Sequence, residues 1–174
     1  MNYKNISLIG FMGSGKTTIG RILADRLNSL FIDLDRIIEM AEDKTVSEIF
    51  KSGGEKYFRY VESEVIKKIY INENCVFACG GGVVERGENM DSIKQNSLVI
   101  YLYISSQQAF ERLKDAEDRP LLGNSSDLDS RKEIIKNLIN KRDLLYKNNS
   151  NFIINTDNKN PEYIAEEILK KLKK

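Results

Sequence analysis

Residues 10–17, Gly-Phe-Met-Gly-Ser-Gly-Lys-Thr, spell G-x-x-x-x-G-K-[ST] between an apolar run at residues 6–9 and a stretch with helical spacing. In that setting the string has a mechanism. Its glycines let the backbone fold tightly, so that amides across Gly13, Ser14, Gly15, Lys16, Thr17 and Thr18 point at phosphate oxygens. Lys16 adds a point charge, and a helix starting near Lys16 aims its positive end at the same place. The Thr17 hydroxyl is suited to a magnesium ion. A nucleotide site is the reading, against the plainer one of a glycine-rich turn.

Other residue groups could serve a second substrate. Asp33-Leu34-Asp35 follows an apolar run. In isolation this pair of acids would read as solvated helix-start residues, but beside a phosphate loop the functional reading is the better one. Gly80-Gly81-Gly82 ends another apolar run and would let a ligand press against bare backbone. Arg59 and Glu62 lie one helical turn apart and can pair on one face; by default such a pair is exposed and contributes little. Arg142 lies four residues before Tyr146. Two arginines in one cleft would clamp a carboxylate bidentately, although spacing alone does not bring Arg59 and Arg142 together. The chain contains no histidine, so proton transfer falls to a carboxylate, lysine, tyrosine or water.

These groups need a frame. Short β-branched runs at residues 6–9, 30–32, 76–79, 98–104 and 152–154 alternate with helical patterns, which predicts five strands in a parallel sheet covered by helices on both faces. In such sheets ligands bind beyond the carboxyl ends of the strands, where the phosphate loop, Asp33-Leu34-Asp35 and the triple glycine all fall. Thr45-Val46-Ser47-Glu48 is a capping box, a helical pattern covers residues 55–71, Asp129 is placed to cap a helix through about residue 146, and Asn160-Pro161 opens a final helix to about residue 172. Residues 115–128 carry Arg119-Pro120 and a Gly-Asn-Ser-Ser run with little helical periodicity, and the arginine favours a mobile lid over a plain surface loop.

With 174 residues, one domain spanning residues 1–174 is expected. Lys plus Arg total 27 against 26 Asp plus Glu, so the charge balance asks for neither nucleic acid nor an anionic membrane. No run is long and apolar enough to span a bilayer, and the first strand begins without a leader; a cytoplasmic location and a monomer are expected. Cys75 and Cys79 fit neither a redox nor a zinc spacing and read as small reduced core residues.

Taken in order, residues 10–17, Asp33-Leu34-Asp35, Phe58-Arg59 with Glu62, Gly80-Gly81-Gly82, Arg119-Pro120-Leu121-Leu122, Arg142 with Tyr146, and Asn155-Thr156-Asp157 with Pro161 resemble the shikimate kinase family almost end to end. The resemblance implies a three-layer α/β/α P-loop fold with a five-stranded parallel sheet in the order 2-3-1-4-5. It implies transfer of the ATP γ-phosphoryl group to the 3-hydroxyl of shikimate, a step toward chorismate and the aromatic amino acids. It further implies that Asp33 acts near Mg²⁺ through water and that Asp35 hydrogen-bonds the acceptor hydroxyl and is the candidate base. Arg59, Arg142 and the backbone of Gly80, Gly81 and Gly82 would hold shikimate, Glu62 would orient Arg59, and Phe50 and Phe58 would line the pocket. Arg119 would close over the transferred phosphate, with Arg112 on the adenine and the segment before Pro161 on its other side.

The chain departs from common family features at Leu144, where many relatives carry proline, and at Thr17-Thr18 in place of Ser-Thr. Neither removes a needed group. The run at residues 76–79 lacks the acid many P-loop enzymes place on their metal, which favours this family, where Asp33 takes that part. Two rival readings are a kinase for another small polyol, such as gluconate, and a non-catalytic ATP-binding module.

Overall fold

The computed structural model describes residues 5–70, 73–116, 120–122 and 127–173. Strands β1 (Asn5–Ile9), β2 (Leu30–Asp33), β3 (Cys75–Ala78), β4 (Leu98–Tyr103) and β5 (Phe152–Asn155) form a parallel five-stranded sheet in the order β2-β3-β1-β4-β5. Each lies where the apolar runs predict it, with ends shifted by no more than one residue.

Strand side chains alternate between two cores, as a period of two requires. Leu8, Val76, Ile100 and Leu102 face α1 (Lys16–Leu27) and α7 (Pro161–Leu172), packing with Leu23 and Ile164. Ile9, Phe77, Val99 and Tyr101 face the other way, toward α3 (Val46–Ile69), α4 (Gly87–Asn96) and α6 (Leu128–Asn148). Coverage on both faces holds for β1, β3 and β4 but fails at the edges, where Leu30 is 67% and Ile153 43% exposed. A run of three or four apolar residues does not distinguish an edge strand from a central one.

Helix starts follow local chemistry. Thr45 and Glu48 form the expected capping box, the Thr45 amide donating to Glu48 at 2.7 Å. Asn160 caps α7 with Pro161 in its first turn. The cap of α6 is Asp127 rather than Asp129: its carboxylate accepts from the amides of Asp129 and Ser130, and Asp129 sits in the first turn. The helix expected over 55–71 begins earlier, at Val46, with a break at Gly54 (φ 72°, ψ 178°), a conformation that only glycine adopts readily. Two more helices, α2 (Leu34–Glu42) and α5 (Ser106–Leu113), follow β2 and β4.

Register gathers the loops. Asp33 of β2 pairs with Ala78 of β3, and Ala78 with Leu8 of β1. The segments after these three strands therefore leave the sheet at one level and one end.

Candidate active site

A cleft of about 790 Å³ opens at that end, lined on one side by Gly13, Lys16, Thr17 and Thr18 and on the other by Phe50, Phe58, Arg59, Gly80–Gly82 and Arg142, with Asp33 and Asp35 between them. Arg112, Pro120 and Leu121 also line it.

The phosphate loop joins β1 to α1. Gly10 stands at φ 145°, and a Cβ there would meet the Leu102 carbonyl oxygen at 2.5 Å, so the neighbouring strand itself excludes a side chain. Gly15, at φ 91°, occupies the N-cap of α1 without any side-chain cap, leaving first-turn amides of that helix available to an anion. Lys16 Nζ donates to the carbonyls of Gly10 and Phe11, both at 2.9 Å, which arches the side chain over its own loop. Ser14 is fully buried and its hydroxyl has no hydrogen-bond partner among the described residues; it supports the loop from inside.

The Thr17 hydroxyl donates to Asp33 Oδ2 at 2.8 Å. Asp33 Oδ1 accepts from the Asp35 amide at 3.2 Å, making Asp33 the N-cap of α2. The helix-start reading of Asp33 thus holds together with its place in the cleft. Among the described residues no three carboxylates or thiols converge to cage a metal. A hydroxyl next to one carboxylate is an oxygen-only donor set of the kind Mg²⁺ accepts while keeping most of its waters.

Across the cleft, Gly80 marks where two acids meet: a Cβ there would lie 2.9 Å from both Asp35 Oδ1 and Glu62 Oε1. Arg59 Nη1 donates to both Glu62 oxygens at 3.0 and 3.2 Å, and Nη2 to Glu55 at 3.1 Å. The expected exposed ion pair is in fact buried, with Arg59 7% and Glu62 1% accessible. The helix carrying it turns this face inward, which i, i+3 spacing cannot reveal. Burial alone would lower the Arg59 guanidinium, but Glu62 and Glu55 hold it above its ordinary value. Burial pushes the Glu62 carboxyl up to about 7 against the pull of Arg59, and the nearby charge of Asp35 adds to the rise. Phe50 and Phe58 pair at 4.9 Å between ring centroids on the cleft wall.

Arg142 is 1% exposed, and Nη2 donates to Glu85 Oε2 at 2.8 Å. The same oxygen lies 3.8 Å from Arg59 Nη2. The fold therefore brings the two arginines to one carboxylate oxygen, which their sequence separation could not foretell. Arg59 Nε, Arg142 Nε and Arg142 Nη1 are buried without hydrogen-bond partners among the described residues. The Tyr146 hydroxyl donates to the Gly81 carbonyl, fixing the glycine floor against α6.

Glu85 is the residue sequence reasoning missed. It ends a 3₁₀ turn, Val83–Glu85, directly after the glycines, and its only sequence signal is an acid just past a bare strand end.

Arg112 ties the phosphate loop to the segment after β5, donating to the Gly13 carbonyl at 2.9 Å and the Thr156 carbonyl at 3.0 Å. Pro161 begins α7 nearby in sequence but does not line the cleft. Arg119 and part of the 115–128 segment lie outside the described residues. Within that segment, Pro120–Leu122 form a 3₁₀ turn whose Leu122 is fully buried, an apolar anchor the polar character of the segment did not suggest. Cys75 and Cys79 are free and buried, as expected; burial pushes the Cys79 thiol up to about 12, removing it as a nucleophile.

A family model described as shikimate kinase matches residues 12–173. A shikimate kinase of Sulfurihydrogenibium sp. is 43% identical over 98% of this chain and 99% of its own length, and one of Thermodesulfovibrio yellowstonii is 44% identical over 96% of this chain and 94% of its own. The solved shikimate kinase from Acinetobacter baumannii in complex with shikimate superposes with a TM-score of 0.92 at 33% identity, covering 98% and 93% of the two chains. A gluconokinase from Sinorhizobium meliloti, at 16% identity and a TM-score of 0.61, shares the fold alone.

Proposed function

We propose that this chain, which belongs to the shikimate kinase family, transfers the γ-phosphoryl group of ATP to the 3-hydroxyl of shikimate, giving shikimate 3-phosphate and ADP on the route to chorismate. The observation that carries this reading is the convergence of Arg59 and Arg142 on one carboxylate oxygen, Glu85 Oε2, at 3.8 and 2.8 Å, across the cleft from the phosphate loop. A small acid with one carboxylate is the kind of acceptor such an arginine pair would recognise.

In this mechanism Gly13–Thr18 bind the ATP phosphates, and Lys16 swings from its loop carbonyls to the transferred group. Arg112 and the segment before Pro161 hold the adenine. Thr17 and, through water, Asp33 would hold Mg²⁺, which would supply positive charge to the phosphate oxygens. Arg59 and Arg142 clamp the shikimate carboxylate, the glycine floor and the Phe50–Phe58 wall shape its ring site, and Glu62 fixes Arg59. Asp35 accepts a hydrogen bond from the attacking hydroxyl and aligns it. Arg119, which lies outside the described residues, is assigned by the family resemblance to the transferring phosphate. Phosphoryl transfer asks the protein mainly for positioning and charge neutralisation, and these groups provide both.

We further propose a monomer acting in the cytoplasm on ATP and shikimate, with no nucleic-acid or membrane partner; a net charge of +1 accords with that. A coupled assay of ADP release with shikimate, with gluconate and with neither tests the function. Turnover with shikimate alone is expected. Turnover with gluconate would favour the polyol-kinase alternative, and nucleotide binding without acceptor-dependent turnover would favour a non-catalytic module.

A further inference from the structure

Glu85 stands where an acceptor carboxylate is expected to stand. Its Oε2 takes Arg142 Nη2 at 2.8 Å and lies 3.8 Å from Arg59 Nη2, while its Oε1 pairs with Lys141 Nζ at 2.5 Å. One carboxylate thus sits among three cations, two of them buried and one, Lys141, with its side chain 66% exposed. We infer that Glu85 is an internal competitor for the arginine clamp: it occupies the clamp in the empty enzyme and retreats to Lys141 when the substrate carboxylate enters.

Two observations support displacement over permanent sharing. Two anions on one guanidinium pair repel each other, and Arg59 already carries Glu62 and Glu55, so a substrate carboxylate entering beside Glu85 would be a fourth anion around that guanidinium. Glu85 also has somewhere to go, because its second oxygen is already on a solvent-exposed lysine. Burial would raise the Glu85 carboxyl, but Lys141 and Arg142 hold it below its ordinary value, so it stays an anion at neutral pH. The consequence is a lowered apparent affinity for shikimate. A clamp that is free only a fraction f of the time weakens binding by 1/f, so occupancy of ~90% corresponds to a loss of ~10-fold.

The inference rests on the proposed assignment of Arg59 and Arg142 to the acceptor carboxylate. Its test compares KM for shikimate in the wild-type enzyme, Glu85→Gln, Lys141→Met and the double variant. Glu85→Gln keeps an oxygen for Arg142 but removes the competing charge, and should lower KM for shikimate by ~3–10-fold with KM for ATP unmoved. Lys141→Met, at an exposed position, removes the retreat and should raise KM for shikimate in the presence of Glu85 but not in the Glu85→Gln background. An unchanged or raised KM in Glu85→Gln, or a Lys141→Met effect of equal size in both backgrounds, overturns the inference while leaving the function standing. Absence of shikimate-dependent turnover in the wild-type enzyme overturns the function itself.

Discussion

The guanidinium of Arg59 lies against the Cα of Gly82: a Cβ at that position would stand 1.9 Å from Nη2 and 2.3 Å from Cζ. The glycine floor is therefore bare for two reasons, to admit a ligand and to let the arginine reach its place. Gly82 has φ −100°, an ordinary value for any residue, so alanine would strain no backbone and act only by displacing Arg59. Gly82→Ala should raise KM for shikimate on the order of 10²-fold, the scale of losing a buried carboxylate contact, with ADP affinity near that of the wild type and a lower melting temperature because the buried Arg59–Glu62 pair is disturbed. Unaltered shikimate kinetics would show that Arg59 does not bind the acceptor from this position.

Removing the loop cation separates donor chemistry from folding. Lys16→Met should lower kcat by ~10²–10³-fold, the scale for losing one charge-stabilising donor, while circular dichroism stays native. Nucleotide binding should weaken as well. Near-normal turnover would remove residues 10–17 from the catalytic role.

Asp35 shares the face of Gly80 with Glu62, each carboxylate 2.9 Å from where a Cβ would be. Asp35→Asn preserves size and hydrogen bonding but not charge. A kcat loss within the ~10²–10⁴-fold range of general bases, with shikimate affinity largely kept, is expected. A variant with wild-type kcat would exclude Asp35 as base and as aligning group.

How much of this was legible beforehand differs by residue. The phosphate loop could be read outright because its function resides in a contiguous string whose glycines and lysine act through the local backbone. Strand order was carried by resemblance, and strand positions by apolar runs of β-branched residues. The burial of Arg59 and Glu62 was illegible, since spacing places both on one face of α3 without saying which way that face turns. Glu85 was illegible for a related reason: its partners, Arg142 and Lys141, come from a helix more than fifty residues away in sequence, and nothing local marks an acid that a distant helix will meet.

The raised Glu62 carboxyl has a stability consequence. With burial lifting its folded value from 4.5 to about 7, the native state holds a proton that the unfolded chain releases between those values. Stability carried by that proton is present below about pH 4.5 and lost as pH rises toward 7. The melting temperature of Glu62→Gln should accordingly fall less than that of the wild type over this interval. Parallel curves for the two proteins would place Glu62 among ordinary ionised carboxylates.

In the proposed reaction shikimate is the acceptor and its 3-hydroxyl takes the phosphate. The most direct measurement is to incubate the enzyme with ATP, Mg²⁺ and shikimate and identify the product by phosphorus and proton NMR, counting ADP alongside. Equimolar ADP and a single phosphomonoester on the 3-position are expected, neither forming when shikimate is left out. ADP accumulating at the same rate without shikimate, or phosphate on another hydroxyl, would contradict the proposed reaction.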